Sequence, residues 1–516
     1  MTAGTVTPRG RHHRRTGLVL PEPPHDREKA SYAWRSLPIL AAALGGCALC
    51  VIVSQVWWEV CYPVLAIFSW YTIIFIAYQA LSVPANVAAR SFDLSAHVRR
   101  VSSWRPACYP DVDIYLPICG EPVTVLRNTW SGVFELIHAY PGCARAFVLD
   151  DGPCAEARAV SAAFGFTYLR RADSRQYGKA GNLNHAFGRT AAAFLVVFDA
   201  DFRPRADFLA ETLPYLDDPT IGIVQTPRFF RLSRGQSWTE RAAAPILEAS
   251  SRSVQIVRDR FAAAACVGSN AVYRRAALTG ASGFALIPGA AASHTALDAR
   301  YNGYRLRYLP LPLAAGIGPA TLAAFLREAY GSCCDATSLV WTSHLWRVPM
   351  ERAGRLTYLA GWLWNLMAGL RAVVLPIVPV VILACLPGAV QPRNALLLAP
   401  ALVSWLVLYP LWHNLPHSPR GWPLSLALGW AQVLAIWDYS RGRAMTWTPD
   451  RRPADLARRF WRAITAWNGG LALAWVALAS WRIAQTGSWR FTVAELLGVT
   501  NLAVVGCLII AGRRSW

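Results

Sequence analysis

Two uncharged apolar runs separated by a short turn, Leu37–Trp58 and Pro63–Leu81, constrain this chain more than any other feature. A helix of about 20 apolar residues matches the hydrocarbon thickness of a bilayer and is costly to leave in water. The pair predicts a transmembrane hairpin over 37–82. Further runs follow a long polar region, at Ala372–Val390, Asn394–Trp412, Thr465–Trp481 and Leu496–Ala511, within a membrane segment of four helices over 351–516. Leu356–Leu370 and Trp422–Trp437 are rich in Trp and Leu but interrupted or short, the pattern of helices lying in the membrane interface.

Charge sets the orientation. Arg9, Arg11, Arg14, Arg15, Arg27, Lys29 and Arg35 precede the first run, in a basic tail (1–36) that is predicted to be disordered and is too long and charged for a signal peptide. Arg441, Arg443, Arg451, Arg452, Arg458, Arg459 and Arg462 crowd the loop at 441–462, and Arg513 and Arg514 close the chain, whereas the loops at 388–393 and 482–490 are short. Threading six spans in order puts every basic segment on one side, so both termini and the large polar domain are expected in the cytoplasm. This placement also accounts for the net charge of +21 without a nucleic-acid partner. With 54% apolar and 16% charged residues, a disordered, collagenous or disulfide-scaffold protein is excluded. The 12 cysteines are scattered and form no facing CxxC units, so they read as reduced thiols. Only two of the 51 basic residues are lysines, Lys29 and Lys179. That bias, with abundant Ala, fits a GC-rich bacterial genome and raises the question of what each lysine does.

Between the membrane segments, over 83–350, short apolar runs alternate with amphipathic stretches. Val112–Leu116, Ala146–Leu149 and Phe194–Phe198 read as buried strands of an α/β domain with a largely parallel sheet. Ligands in such sheets gather at the carboxyl ends of the strands, where this chain carries Asp150-Asp151 and Asp199-Ala200-Asp201. Carboxylates spaced as Asp199 and Asp201 can share Mg²⁺ or Mn²⁺ bridging two phosphates, although an Asp pair at a strand end more often caps a turn. Asp150 could accept hydrogen bonds from a uracil or ribose. Lys179 stands in the turn-rich Gly178-Lys179-Ala180-Gly181-Asn182-Leu183-Asn184, where a compact ammonium could neutralise a diphosphate.

Taken together, Leu116-Pro117-Ile118-Cys119-Gly120-Glu121-Pro122, Val148-Leu149-Asp150-Asp151-Gly152, Lys179-Ala180-Gly181-Asn182-Leu183-Asn184, Phe198-Asp199-Ala200-Asp201, Val224-Gln225-Thr226-Pro227 and Val267-Gly268-Ser269-Asn270 resemble the membrane-embedded family-2 glycosyltransferases of the cellulose-synthase and hyaluronan-synthase type, in particular bacterial cellulose-synthase-like proteins. The resemblance runs from about 110 to 335, and the arrangement of two helices, domain and four helices matches too. It implies a GT-A fold binding a UDP-sugar, with Asp150 and Asp151 at the uridine, Lys179 at the diphosphate, and Asp199 and Asp201 at the nucleotide and its Mg²⁺ or Mn²⁺. It further implies a glycan acceptor and placement in the bacterial inner membrane.

Two family features are missing. Gly303-Tyr304 anchors the count back to the triplet that carries the general-base Asp, and that triplet reads Ala290-Ala291-Ala292. The Gln-x-x-Arg-Trp signature is replaced by Glu328-Ala329-Tyr330-Gly331-Ser332, and Arg228 replaces the Gln that usually follows Gln-Thr-Pro. Loss of a general base costs about 10²–10⁴-fold. His294 and Glu328 are the substitutes nearest in sequence, with Asp298 and Asp335 further off; for each, a structural role is the plainer reading. Three readings stay open: a divergent transferase, a non-catalytic pseudo-glycosyltransferase that binds UDP-sugar beside an active synthase or other envelope-polysaccharide subunit, and a scaffold that needs no nucleotide.

Overall fold

A computed structural model describes residues 19–33, 37–89, 91–152, 155–173, 176–233, 235–413, 421–443 and 453–513. Ten strands form the α/β domain: β1 (Val112–Ile118), β2 (Ala144–Asp150), β3 (Thr167–Arg170), β4 (Phe194–Val197), β5 (Phe202–Pro204), β6 (Ile221–Gln225), β7 (Phe229–Phe230), β8 (Ala271–Arg274), β9 (Arg305–Tyr308) and β10 (Ala314–Gly316). Seven make the main sheet in the order β3-β2-β1-β4-β8-β6-β9, and β5-β10-β7 make a small second one. β1 is buried along its whole length, as the expected apolar run requires. Alternate residues of the sheet feed two cores, because side chains on a strand alternate faces. Val112, Ile114, Leu116, Val148 and Val196 pack with Trp130 on one face, and Tyr115, Leu149, Leu195 and Val197 pack with Tyr273 on the other. Each such side chain contributes about 1.5–3 kcal/mol on burial.

β1 pairs in parallel with both β2 and β4, so the strand order reverses between β1 and β4 and opens a crevice at their carboxyl ends. β8 runs against both β4 and β6, making the sheet mixed but mostly parallel. Its reversal brings the 267–270 turn to the same edge, beside the end of β4.

Five helices are long and apolar enough to cross a membrane, and a sixth span results when one bent pair is counted as a unit. Each expected run falls on one of them. Ile39, Val60 and Leu396 are 76%, 74% and 72% exposed, apolar surface that only lipid covers cheaply. The expected separation between an interfacial helix at Leu356–Leu370 and a span starting at Ala372 is corrected: Arg352–Val374 runs on into Ile377–Cys385 with a bend of 41°. Pro376 sits at the break, where it can donate no hydrogen bond and crowds the preceding turn. Within the expected basic loop at 441–462, Pro453–Arg462 is helical and continues into the next span. There Arg459 makes a two-pronged bond to Asp438, both arms 2.8 Å, and the Tyr330 hydroxyl donates to the same carboxylate at 2.9 Å. Arg451, Arg452 and Arg514 lie outside the described residues.

The amino-terminal tail is also corrected over 19–33. Helix Asp26–Ala33 packs on the α/β domain through Lys29, whose ammonium donates to Glu211 at 2.7 Å, through Glu28 and Asp26 on Arg231 and Arg205, and through Tyr32 beneath the Arg252 guanidinium. Residues 1–18 and Arg35 lie outside the described residues. Lys29 is therefore a structural lysine, held with His97 on one buried carboxylate.

Burial alone would raise the Glu211 pKa, but hydrogen bonds from His97 and Lys29 outweigh it and hold the carboxyl below its ordinary 4.5. A carboxyl lowered on folding adds stability that is present above pH 4.5 and fades as pH falls through the folded value. Glu211→Ala should cost about 3 kcal/mol at neutral pH, because it strands the Lys29 ammonium and leaves the buried His97 ring without its partner. Fluorescence melts in detergent should show a midpoint lowered by several degrees at pH 7, with the gap to wild type narrowing toward pH 4.

Candidate active site

Asp150 ends β2 with no exposed surface; its carboxylate accepts the Gly152 amide N–H at 2.7 Å and the Tyr168 hydroxyl. A Cβ at Gly152 would sit 3.3 Å from the Gly120 nitrogen, a tight contact at the point where the loops after β1 and β2 meet. Asp151 does not face the crevice. It is 6% exposed and takes both arms of Arg171, at 2.7 and 2.8 Å. Arg171 also donates to the carbonyls of Gln176 (2.6 Å) and Gly178 (3.1 Å), which fixes the loop that delivers Lys179. Gly181 follows from this: a Cβ at 181 would lie 2.4 Å from the Arg171 guanidinium.

Lys179 opens helix Gly178–Phe187, which is pinned by Asn182 to the Leu149 carbonyl (2.7 Å) and by Asn184 to the backbone of Phe284 (2.8 Å and 2.7 Å). Its ammonium donates to Asp199 and, at 2.7 Å, to the Gly268 carbonyl. The Asp199 amide donates to Ser269 Oγ at 2.9 Å, and Gln225 clamps the same turn through the Ser269 carbonyl (2.7 Å) and the Val267 N–H (2.9 Å). Glu121 closes the crevice on the β1 side. Burial raises its pKa, and the carboxylates of Asp199 and Asp150 add to the effect.

Asp201 is pushed up to about 7, first by burial and then by Asp199, with Arg228 opposing. Arg228 lies over the rings of Phe202 and Phe230, 5.4 Å from each centroid, and donates to Glu328 on helix Leu322–Trp341. As a cradle for Mg²⁺ or Mn²⁺ this arrangement fits poorly. Asp199 is already held by Lys179, Asp201 faces Arg228, and among the described residues no group of three His, Cys, Asp or Glu side chains is placed to hold an ion.

Ala292 begins helix Ala291–Tyr301 with its methyl against Gly268, where a Cβ would approach it to 2.9 Å. The expected base position thus borders the Lys179 turn with no functional group on it. Gly331 and Ser332 leave the facing helix open: a Cβ at Gly331 would meet nothing within 4 Å. His294 is drawn away from the crevice. It is 1% exposed, its Nδ1 pairs with His344 Nδ1 at 2.8 Å and its Nε2 with Ser338 Oγ at 3.0 Å, and burial, with His344 adding, lowers its pKa to about 4. Glu328 is in the crevice but is engaged by Arg228.

Sequence reasoning missed Arg171, quoted Gln225 only within a motif, and passed over Asp335. Asp335 accepts from Ser293 Oγ, next to Ala292, at 2.6 Å, while its other oxygen is buried with no hydrogen-bond partner among the described residues. Burial raises it to about 6. The available signal was helical spacing: residues 328, 331, 332 and 335 share one face.

Residues 194–413 match the family described as Glycosyl transferase family group 2. A region of 222 residues is 34% identical to Cellulose synthase 1 of Komagataeibacter xylinus, covering 42% of this chain and 14% of that protein. A region of 238 residues is 32% identical to the cellulose synthase catalytic subunit [UDP-forming] of Pseudomonas fluorescens, covering 45% of this chain and 32% of that protein. The chain therefore spans less than a third of the length of either relative. Among solved structures, a mannosyltransferase of Pyrobaculum calidifontis in complex with GDP-Man and Mn²⁺ superposes with a TM-score of 0.47 at 19% identity, over 71% of this chain and 99% of that one.

Arg171→Ala should strand the buried Asp151 and free the loop that carries Lys179, at a cost of about 3–5 kcal/mol. Limited trypsin digestion followed by mass spectrometry should show new cleavage at Lys179. Arg171→Lys, which keeps the charge but loses the fork, should give an intermediate rate.

Proposed function

We propose that this chain, whose α/β domain is a cellulose-synthase-like family-2 glycosyltransferase domain set among membrane-spanning helices, binds a UDP-sugar in the crevice at the ends of β1, β2 and β4 and transfers the sugar to a glycan acceptor. The observation that carries the reading is the convergence of Asp150, Lys179, Asp199 and Asp201, from three separate segments, on one strand-end crevice. Asp150 is the group for the uracil or ribose, exchanging its bonds from Gly152 and Tyr168 for bonds to the base. Lys179 is the group for the diphosphate, leaving Asp199 as the stronger anion arrives. The domain division at 37–82, 83–350 and 351–516 and a bacterial inner-membrane location with the α/β domain cytoplasmic belong to the same reading. Acceptor and membrane lie on the side where Gly331 and Ser332 leave space.

Transfer requires the acceptor hydroxyl to attack the anomeric carbon as the bond to the diphosphate breaks, with the hydroxyl proton passing to a base. With alanine at 292, the carboxylate this geometry offers is Asp335, one hydrogen bond from Ser293. The vacant base position itself favours a second reading, a nucleotide-binding partner of an active synthase that performs no transfer. No step is assigned here to Mg²⁺ or Mn²⁺.

UDP release by the detergent-purified protein from a panel of UDP-sugars, alongside calorimetric UDP binding, separates these readings. If transfer occurs, release should rise through pH 6, as Asp335 loses its proton, and vanish in Asp335→Asn with UDP binding intact. Lys179→Ala should weaken UDP binding by about 10–100-fold, the loss of one charge-assisted contact. Binding without release assigns the chain to the non-catalytic role. Absence of UDP binding overturns both readings.

A further inference from the structure

We propose that Arg228, steadied by Glu328, is a built-in cation of the donor crevice, so that this chain takes up a nucleoside diphosphate without a divalent metal ion. The inference rests on the assignment of the crevice to a nucleotide.

Arg228 is held from several sides. It follows Gln225-Thr226-Pro227, and the Thr226 hydroxyl bonds the Asn270 carbonyl at 2.9 Å while Gln225 clamps the 267–270 turn, so its backbone is tied to the turn that holds Lys179. On its other flank, β7 and β5 pair with β10, setting Phe230 and Phe202 on either side of Gly316 with ring centroids 5.6 Å apart. A Cβ at Gly316 would lie 2.4 Å from the Phe202 ring, so glycine there lets the two rings come together as a platform. The guanidinium rests against that platform, electrostatically favourable and geometrically fixed.

Its hydrogen bonds are not used up. Among the described residues the guanidinium donates only to Glu328, and its Nε is buried with no partner. The side chain is nevertheless 27% exposed, comparable to Lys179 at 36% and Asp199 at 31%. Phe202, whose ring lies under the guanidinium, directly follows Asp201, so the cation is set beside the Asp199-Ala200-Asp201 turn. A doubly charged ion entering there would meet an ammonium and a guanidinium, and one of the two carboxylates, Asp199, already holds the ammonium. A diphosphate meets the reverse: a point charge from Lys179 and a planar fork from Arg228. Glu328 keeps Arg228 from closing onto the carboxylates and stands where the family's Gln begins its second signature, so the two departures at 228 and 328 form one exchange.

The test uses the full chain in detergent. Calorimetry with UDP in EDTA and in excess Mn²⁺, and electron paramagnetic resonance of Mn²⁺ without nucleotide, are run on wild type, Arg228→Gln and Arg228→Lys, with thermal midpoints as the folding control. Wild type should bind UDP with an affinity that changes less than about twofold between EDTA and Mn²⁺, and should bind no Mn²⁺ alone. Arg228→Gln should lose about tenfold or more in EDTA and recover part of it with Mn²⁺, while Arg228→Lys stays metal-independent with weaker binding. UDP binding by wild type that needs Mn²⁺ overturns the inference and leaves the donor-crevice reading standing. Absence of UDP binding under all conditions defeats that reading, and the resonance arm then decides alone: tight Mn²⁺ binding by wild type overturns the internal cation, and binding gained only in Arg228→Gln supports it. Should Arg228→Gln fail to fold, wild type and Arg228→Lys give the same comparison.

Discussion

The site depends on one ammonium. Lys179 joins the end of β4, through Asp199, to the turn before β8, through Gly268, and the helix it opens is tied by Asn182 to the end of β2. The crevice exists because β1 lies between strands whose connections leave in opposite directions, but its chemistry exists because these three segments are drawn to one point. Much of the surrounding sequence serves that convergence. Arg171 holds the loop before Lys179, Gln225 holds the turn that receives it, and glycines at 152 and 181 permit the close approaches.

Under the proposed reading, the donor and acceptor sides depart unequally from the pattern that the chain resembles. On the proposed donor side Asp150, Lys179 and Asp199 each have a partner from a different segment, which keeps them ordered without ligand. On the proposed acceptor side the chain carries little bulk or charge: a methyl at 292, no side chain at 331, a small hydroxyl at 332. Arg228 and Glu328, both departures from the pattern that the chain resembles, are partners in one ion pair. A substitution on each of two segments 100 residues apart that produces a matched contact is what a change in the site's electrostatics requires.

The membrane segments and central strands were legible because their signals are local: a long uncharged run or a short β-branched run states its environment in its own composition. Asp150, Lys179, Asp199 and Asp201 could be singled out as candidates because turn chemistry and charge at strand ends mark them. What the sequence hid was tertiary. The bend at Pro376 joins two segments that look separate, since local hydropathy drops at Arg371 although the helix continues. The packing of Asp26–Ala33 depends on Glu211, Arg205 and Arg231, which lie far along the chain. Asp151 looked like a ligand residue and is a structural one, because its partner Arg171 is 20 residues away on the next loop. His294, for which a structural role was already the plainer reading, is enclosed by His344 and Ser338.

The most direct test of the account is a structure of the full chain with UDP bound, determined by cryo-electron microscopy in Mn²⁺-containing buffer. The account predicts UDP at the ends of β1, β2 and β4, its base beside Asp150, and its diphosphate held by Lys179 and Arg228 with no ion between it and Asp199 or Asp201. A manganese ion coordinated by Asp199 or Asp201, or UDP bound elsewhere with Lys179 still on Asp199, would contradict it.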